Sequence, residues 1–317
     1  MIDNMAVMLT TRCQLACRYC FLARRQKDMT LDTMRRSLDL LFTSKSKRVE
    51  LQFFGGEPLL RFDLIKKAYA YAKTFGARKK SIKYLLTTNG ILLDRKKMQY
   101  FKSRKTTIMF SMDGCLKTQN DQRPSILKKN AMQTTEKILD NLKYLVDYYP
   151  DYFVNLVFFP GNSGRLPQDV EFLLKLGVKD LQLSYAIGFS YSHNDLKNFK
   201  KALIQVWPQV VKYKARIRNF SNNSEPVLLS PQLNISCRGD IYVGCAFVLE
   251  ERLPFLNKLF YAGCLDKTRS LSEIERSRCH QKALLLKHRH ELSETVFNNI
   301  NFGLALRSIF TKRNFVR

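Results

Sequence analysis

Up to about residue 213 the chain alternates two apolar spacings. Short runs rich in β-branched and aromatic residues have strand length and composition: Met5–Leu9, Val49–Phe54, Ile82–Thr87, Thr107–Met112, Phe153–Phe159 and Asp180–Tyr185. Between them apolar residues recur at steps of three and four, as in Leu31, Met34, Leu38, Leu41 and Phe42. Ile138, Leu142, Leu145 and Tyr149 form a second such series, and Leu196, Phe199, Leu203, Val206 and Val210 a third. That spacing puts each series on one helix face. Thr30 stands just ahead of the first series with the side-chain oxygen an N-cap needs. Strands alternating with helices pair in parallel through crossovers, so the expected class is α/β. The strands read as largely apolar on both faces, as a helix-covered sheet requires. Periodicity does not distinguish an open sheet from a partial barrel.

The pattern changes near residue 214. Asn219–Pro231 is polar and turn-rich, and Leu233–Phe247 reads as a hairpin with a two-residue turn at Gly239-Asp240. The tail from about Leu284 reads as helical. Trp207-Pro208 reads as an interruption of the third helical series, with Trp207 a packing residue. No apolar run approaches the roughly 20 residues of a membrane span. The residues ahead of Cys13 read as a strand start and leave no room for a secretory signal, so the expected location is cytoplasmic.

Composition adds charge to this picture. The 317 residues are 45% hydrophobic, enough for a sizeable core, and carry a net charge of +27. Residues 1–150 hold 30 basic residues against 13 acidic, and Arg78–Lys105 is the densest stretch. Such a balance suits an acidic partner, either nucleic acid or an acidic peptide; a solvated basic surface explains it equally.

In a cytoplasmic chain the eight cysteines read as metal ligands or free thiols before disulfides. Cys13, Cys17 and Cys20 crowd together directly after the first strand, in Thr10-Thr11-Arg12-Cys13-Gln14-Leu15-Ala16-Cys17-Arg18-Tyr19-Cys20-Phe21. Soft thiolates select zinc or iron–sulfur. A structural zinc wants a fourth ligand, and no other Cys or His lies nearby. Three ligands suit a 4Fe–4S cluster with one iron left open. Gly55-Gly56-Glu57-Pro58 follows the second strand, where glycine permits close backbone approach. Thr87-Thr88-Asn89-Gly90 ends the third strand and Ser111-Met112-Asp113-Gly114 the fourth. Polar residues at C-terminal strand ends sit where α/β sheets bind ligands.

These segments together resemble the radical S-adenosylmethionine (SAM) superfamily. Within it the chain is similar to the peptide-modifying SPASM/twitch branch, which includes anaerobic sulfatase maturases and the maturases of ribosomal peptides. The C-x3-C-x2-C spacing with Tyr19 before its last cysteine carries the resemblance, with Gly55–Pro58 and the two strand-end segments. Arg123-Pro124, the turn at Asn162 and Leu181-Gln182-Leu183 extend it over roughly residues 5–186. The resemblance implies a partial (β/α)6 barrel in residues 1–213 and a shortened hairpin-plus-helix module in 214–317. It implies a 4Fe–4S cluster on Cys13, Cys17 and Cys20, whose open iron takes the SAM amine and carboxylate. It places adenine against Tyr19 and the SAM amino group at Gly55, Gly56, Glu57 and Pro58. Further SAM contacts are expected from Thr88, Asn89, Ser111 and Asp113. The implied chemistry is reductive cleavage of SAM to methionine and a 5′-deoxyadenosyl radical, which abstracts hydrogen from substrate. An external electron donor of flavodoxin or ferredoxin type is implied as well.

Ile235–Cys245 resembles the opening hairpin of the SPASM/twitch module, and Ala262–Ile274 its following linker. The usual cysteine ahead of the hairpin glycine is absent, and none follows Cys279, which excludes two full auxiliary clusters. Cys237, Cys245, Cys264 and Cys279 match the ligand count of one auxiliary cluster. Against this, a two-residue turn makes Cys237 face Tyr242 and sends Cys245 to the opposite face. Buried free thiols are the alternative. Cys115 reads as a loop or core thiol, and His280, His288 and His290 form no ligand pattern.

The expected function is radical SAM tailoring of a peptide or protein, with an acidic substrate suggested by the charge. The chain starts at its first strand, so a fused leader-binding domain is not expected, and a precursor peptide would need either a separate leader-recognition protein or the basic surface. Two alternatives are radical modification of RNA by way of the basic surface, and a non-catalytic scaffold subunit.

Overall fold

The computed structural model describes residues 3–22, 26–76, 80–127, 131–220, 229–244, 252–274 and 278–312. Six parallel strands form its centre: β1 (Asp3–Met8), β2 (Arg48–Phe54), β3 (Ser81–Thr88), β4 (Thr106–Ser111), β5 (Tyr152–Phe158) and β6 (Asp180–Tyr185). They lie side by side in chain order. The short β7 (Arg216–Ile217) extends this edge beyond β6. Helices fill the crossovers: α1 (Leu31–Phe42), α2 (Phe62–Tyr71), α3 (Arg95–Lys102), α4 (Leu116–Gln122), α5 (Ala131–Tyr148), α6 (Leu166–Lys175) and α7 (His193–Lys212). Thr30 caps α1 as its sequence position suggests, its Oγ1 accepting from the Thr33 N–H at 3.0 Å. The architecture is α/β, with β/α units in the expected order.

The two faces are not equally apolar. Residues paired across parallel strands share a face. One face carries Val49, Leu51, Phe53, Leu86, Ile108, Phe110, Val154 and Leu156, all buried. The other is mixed: Leu85, Met109, Phe153 and Val157 share it with Gln52, Thr87, Ser111, Asn155, Gln182 and Ser184, the polar residues gathering toward the C-terminal ends of the strands. These bond to one another: Gln52 Nε2 donates to Thr87 Oγ1 at 2.8 Å, and Ser184 Oγ to Asn155 Oδ1 at 2.6 Å. Topology gives the reason. With strands in consecutive order and right-handed crossovers, the helices fall on one face and leave the other without helical cover.

At the β1 edge the C-terminal segment continues the same sheet. β8 (Leu233–Ile235) pairs in parallel with β1, then β9 (Asp240–Val243) and β10 (Tyr261–Cys264) follow as antiparallel neighbours. The β8–β9 turn differs from expectation. Ile235 pairs with Ile241 and Asn234 with Tyr242, so Cys237 lies in a three-residue loop and does not face Tyr242. Ser236 fixes this loop: its Oγ accepts from the Asp240 N–H at 3.1 Å and the Arg238 N–H at 3.2 Å. Gly239 supplies the positive φ of +92° that the loop needs.

Three helices complete the chain: α8 (Pro254–Leu259), α9 (Arg278–Lys287) and α10 (Glu294–Lys312). The helical tail therefore begins before Leu284. On α10, buried Asn299 accepts from the Gly188 N–H at 2.8 Å and donates to the Phe189 carbonyl at 2.5 Å, closing this helix over the β6–α7 connection. Phe302 stacks on Tyr191 with centroids 3.9 Å apart. Pro208 does not interrupt α7, which runs through it to Lys212. One missing N–H is tolerated because Phe199, Leu203, Val206 and Val210 bury the helix on both sides of it. Trp207 packs edge-on against Phe220, as its reading as a packing residue predicts. Among the described residues no helix is long and apolar enough to cross a membrane.

Candidate functional site

The loop after β1 starts and ends on one anchor. Thr10 Oγ1 donates to Asp28 Oδ1 at 2.5 Å, and Arg12 grips the same carboxylate through Nε at 3.0 Å and Nη2 at 2.6 Å. The far side of the loop docks on the segment after α4. There the Ala16 N–H donates to the Pro124 carbonyl at 2.7 Å and the Arg18 N–H to the Gln122 carbonyl at 2.9 Å. A turn closed by the Cys20 N–H on the Cys17 carbonyl, at 3.0 Å, brings the last two cysteines together. Cys13, Cys17 and Cys20 are free and half-buried.

Gly55 and Gly56 lie against this loop. The Gly56 N–H donates to the Thr10 carbonyl and the Glu57 N–H to the Arg12 carbonyl, both at 2.8 Å. A Cβ on Gly55 would stand 2.4 Å from the Thr10 oxygen, and one on Gly56 2.2 Å from the Arg12 oxygen. The close approach expected of these glycines is therefore made to the cysteine loop itself. Pro58 is buried and opens a single 3-10 turn, with Glu57 at its cap position.

Glu57 is fully buried. Its Oε1 accepts from the Leu59 N–H at 3.0 Å and from Thr88 Oγ1 at 2.9 Å, and its Oε2 from the Asn89 N–H at 2.8 Å. The carboxylate thus ties the turn after β2 to the end of β3. Burial raises its pKa from the ordinary 4.5 to about 7, although all three hydrogen bonds favour the charged form. Asn89 reaches the loop in turn, its Nδ2 lying 3.5 Å from Cys13 Sγ.

The end of β4 makes a second tie. Asp113 accepts from the Tyr19 hydroxyl, from Arg123 Nε and Nη2 at 2.9 Å each, and from the Val157 N–H at 3.0 Å. Both partners of the ion pair are buried, with side-chain exposures of 7% for Arg123 and 0% for Asp113. The Arg123 guanidinium also stands over the Tyr19 ring, 5.3 Å from its centre. Sequence reasoning quoted Arg123 only within the resemblance and gave it no place in the site. Its partner lies ten residues away across α4, and composition gives no sign that an arginine is buried. Ser111 is buried beside Asn155 of β5 on the polar face.

The C-terminal cysteines are arranged differently. Cys237 is buried, and its thiol donates to the Met8 carbonyl at 3.1 Å. Burial pushes its pKa up to about 12. Cys264 ends β10 opposite Asp240. Cys245 and the Cys279 side chain lie outside the described residues. Cys115 is engaged near α4, its N–H donating to Asp169 Oδ1 at 3.1 Å and its sulfur 3.5 Å from Thr118 Oγ1.

The N-terminal triad offers three half-buried soft thiols on one loop, a donor set that fits an iron–sulfur cluster. Among the described residues no three His, Cys, Asp or Glu side chains converge on one metal. Cluster ligands bind separate irons and so stand farther apart than ligands of one zinc. Burial raises the Cys13 thiol above its ordinary range, although the Leu15 N–H on its Sγ at 3.4 Å favours a thiolate. Burial raises Cys17 to about 12, while the Arg123 charge opposes that rise. Bound metal would reverse the balance by deprotonating the thiols.

Fold and site together define a parallel α/β protein that presents three thiols and two buried carboxylates at the C-terminal ends of neighbouring strands. A family model described as the Radical SAM superfamily matches residues 7–188. An uncharacterized protein of Methanocaldococcus jannaschii is 29% identical over 217 residues, covering 67% of this chain and 70% of that protein. A cysteine-type anaerobic sulfatase-maturating enzyme of Clostridium novyi is 23% identical over 217 residues, covering 62% of this chain and 57% of that enzyme. Among solved structures, anSMEcpe with bound AdoMet has a TM-score of 0.79 at 14% identity, covering 100% of this chain and 98% of that one. The same protein with AdoMet and the Kp18Cys peptide has a TM-score of 0.73 at 18% identity, covering 88% and 82%. At these identities the structural likeness is one of fold. The chain belongs to the radical SAM superfamily of enzymes, whose cofactors are a 4Fe–4S cluster and SAM.

Cys17→Ala should abolish iron binding and the brown chromophore of the anaerobically reconstituted protein. Cys237→Ala tests the auxiliary cluster: with its thiol bonded to the Met8 carbonyl, wild-type iron of about four per chain is expected, and loss of iron on that change would make Cys237 a ligand. Glu57→Gln should cost about 1–3 kcal/mol, since its new amide must face backbone or hydroxyl donors. Folded Glu57 binds its proton more tightly than the unfolded chain does, so its contribution is full below pH 4.5 and is lost as pH rises through about 7. Urea titrations of the metal-free protein should show this decline in wild type and not in Glu57→Gln.

Proposed function

We propose that the chain binds its cluster on Cys13, Cys17 and Cys20 and acts as a maturase that takes hydrogen from a peptide or protein substrate. With SAM, the cluster supplies a carbon radical able to attack unactivated C–H bonds. An external flavodoxin- or ferredoxin-type donor provides the electron. Residues 1–213 form the catalytic core and 214–317 the shortened module. The intact triad and its supporting carboxylates speak against a non-catalytic scaffold.

The observation that carries this reading is the polar face of the sheet. Gln52, Thr87, Ser111, Asn155, Gln182 and Ser184 offer uncharged donors and acceptors on the side without helical cover. Such groups match the N–H and C=O of a peptide and bring no net charge to a radical site. The sulfatase-maturating activity of the Clostridium novyi relative and the peptide bound to anSMEcpe agree with it.

A second feature, on the helix-covered side of the sheet and so away from the polar face, suits a remote acidic segment of the substrate. A groove of about 630 Å³ between α2 and α3 is lined by Lys66, Lys73 and Arg104 with Tyr69, Tyr84 and Tyr100. Among the described residues no carboxylate forms an ion pair with these three cations. Arg104 is held ready, its guanidinium 3.5 Å from the Tyr100 ring centre. The net charge of +27 also favours the RNA reading, so the test compares both.

The reduced, reconstituted protein should form 5′-deoxyadenosine from SAM faster with a small acidic peptide encoded beside its gene, and the peptide's mass should change. Stimulation by cellular RNA and not by the peptide would reverse the proposal.

A further inference from the structure

The Asp113–Arg123 pair adjoins the cysteine loop without belonging to it. Asp113 receives four donors, from Tyr19, Val157 and twice from Arg123, which is the full acceptor capacity of a carboxylate. It therefore has no lone pair left for SAM, unlike the role the family resemblance suggests. Arg123 is also fixed. Both arms of its fork are spent on Asp113, and its plane covers the Tyr19 ring that separates Cys17 from Cys20. The residue before it, Gln122, holds the loop through its carbonyl and the Arg18 N–H at 2.9 Å. A buried cation and its counter-ion thus stand together behind the Cys17–Cys20 turn, in low dielectric where charge is weakly screened.

We propose that Arg123 is a positioning residue: paired with Asp113, it seats the Cys17–Cys20 turn and balances the charge beside the cluster, so setting the potential at which the cluster accepts an electron. This rests on the cluster assignment to Cys13, Cys17 and Cys20. The pair makes opposite demands on that potential. Neutralising Asp113 leaves a bare cation, which favours the reduced and more negative cluster. Neutralising Arg123 leaves a bare anion, which disfavours it. Neutralising both restores the balance while keeping polar groups of similar shape in place.

The experiment is an EPR-monitored redox titration of the full reconstituted chain without SAM, with iron and sulfide counted per chain. Asp113→Asn should raise the midpoint potential and Arg123→Gln should lower it. Asp113→Asn/Arg123→Gln should return it to the wild-type value, and Arg123→Lys should move it less than Arg123→Gln. Equal shifts of one sign in both single variants, or no shift in either, would refute the proposal. So would a double variant that holds no iron, because the pair would then be required for its shape alone. If the single variants hold no iron and the double variant titrates as wild type, charge balance is confirmed. A wild-type chain without iron would overturn the cluster assignment itself, before any question about the pair.

Discussion

Two peptide hydrogen bonds and two absent side chains hold the site together. The Gly55-Gly56 turn lies on the backbone of Thr10 and Arg12 so closely that a Cβ on either glycine would enter a carbonyl oxygen's van der Waals shell. A long loop carrying three thiols has no regular structure of its own and must borrow order from its neighbours. The turn after β2 supplies that order, and its place is set by the β1–β2 pairing directly below. The cysteines are thus positioned by the sheet, through a contact only glycine permits.

Two buried carboxylates extend this contact sideways. Glu57 links the turn to Thr88 and Asn89 at the end of β3, and Asn89 reaches Cys13. Asp113 links the end of β4 to β5, to Arg123 and to Tyr19 within the loop. Loop, β2, β3, β4 and β5 become one polar network at the C-terminal edge of the sheet. Removing one member of such a network strands its partners, so its parts act together. The same strands present amides and hydroxyls on the face away from the helices, where a substrate can approach.

Much of this was legible in the sequence, and the reasons are local. Strand and helix periods depend on residues a few positions apart, and all six central strands fall within a residue or two of where their apolar runs place them. The triad and the Gly55–Pro58 segment stood out because cysteine spacing and paired glycines are local features, and the structure brings the two segments into contact. What was hidden depends on topology or on distant pairing. The polar face could not be assigned, since β-type residues such as Thr87 and neutral ones such as Gln52 read equally well as half-buried. Pro208 signalled a break that burial on both sides overrode. The β8–β9 turn was misplaced because Gly239-Asp240 is a common two-residue turn, whereas Ser236 bonds to Arg238 and Asp240 to favour three. Arg123 went without a role because its importance lies in Asp113, across a helix.

The central claim is that the glycine turn, more than the cysteine spacing alone, makes the loop a cluster site. Iron content of anaerobically reconstituted Gly56→Ala, with far-UV circular dichroism to confirm the fold and Gly164→Ala as control, tests it most directly. An added Cβ at Gly164 meets nothing within 4 Å, whereas at Gly56 it meets the Arg12 oxygen. The account predicts a folded Gly56→Ala protein that has lost most of its iron beside a control that keeps it. A folded Gly56→Ala protein with wild-type iron would contradict it.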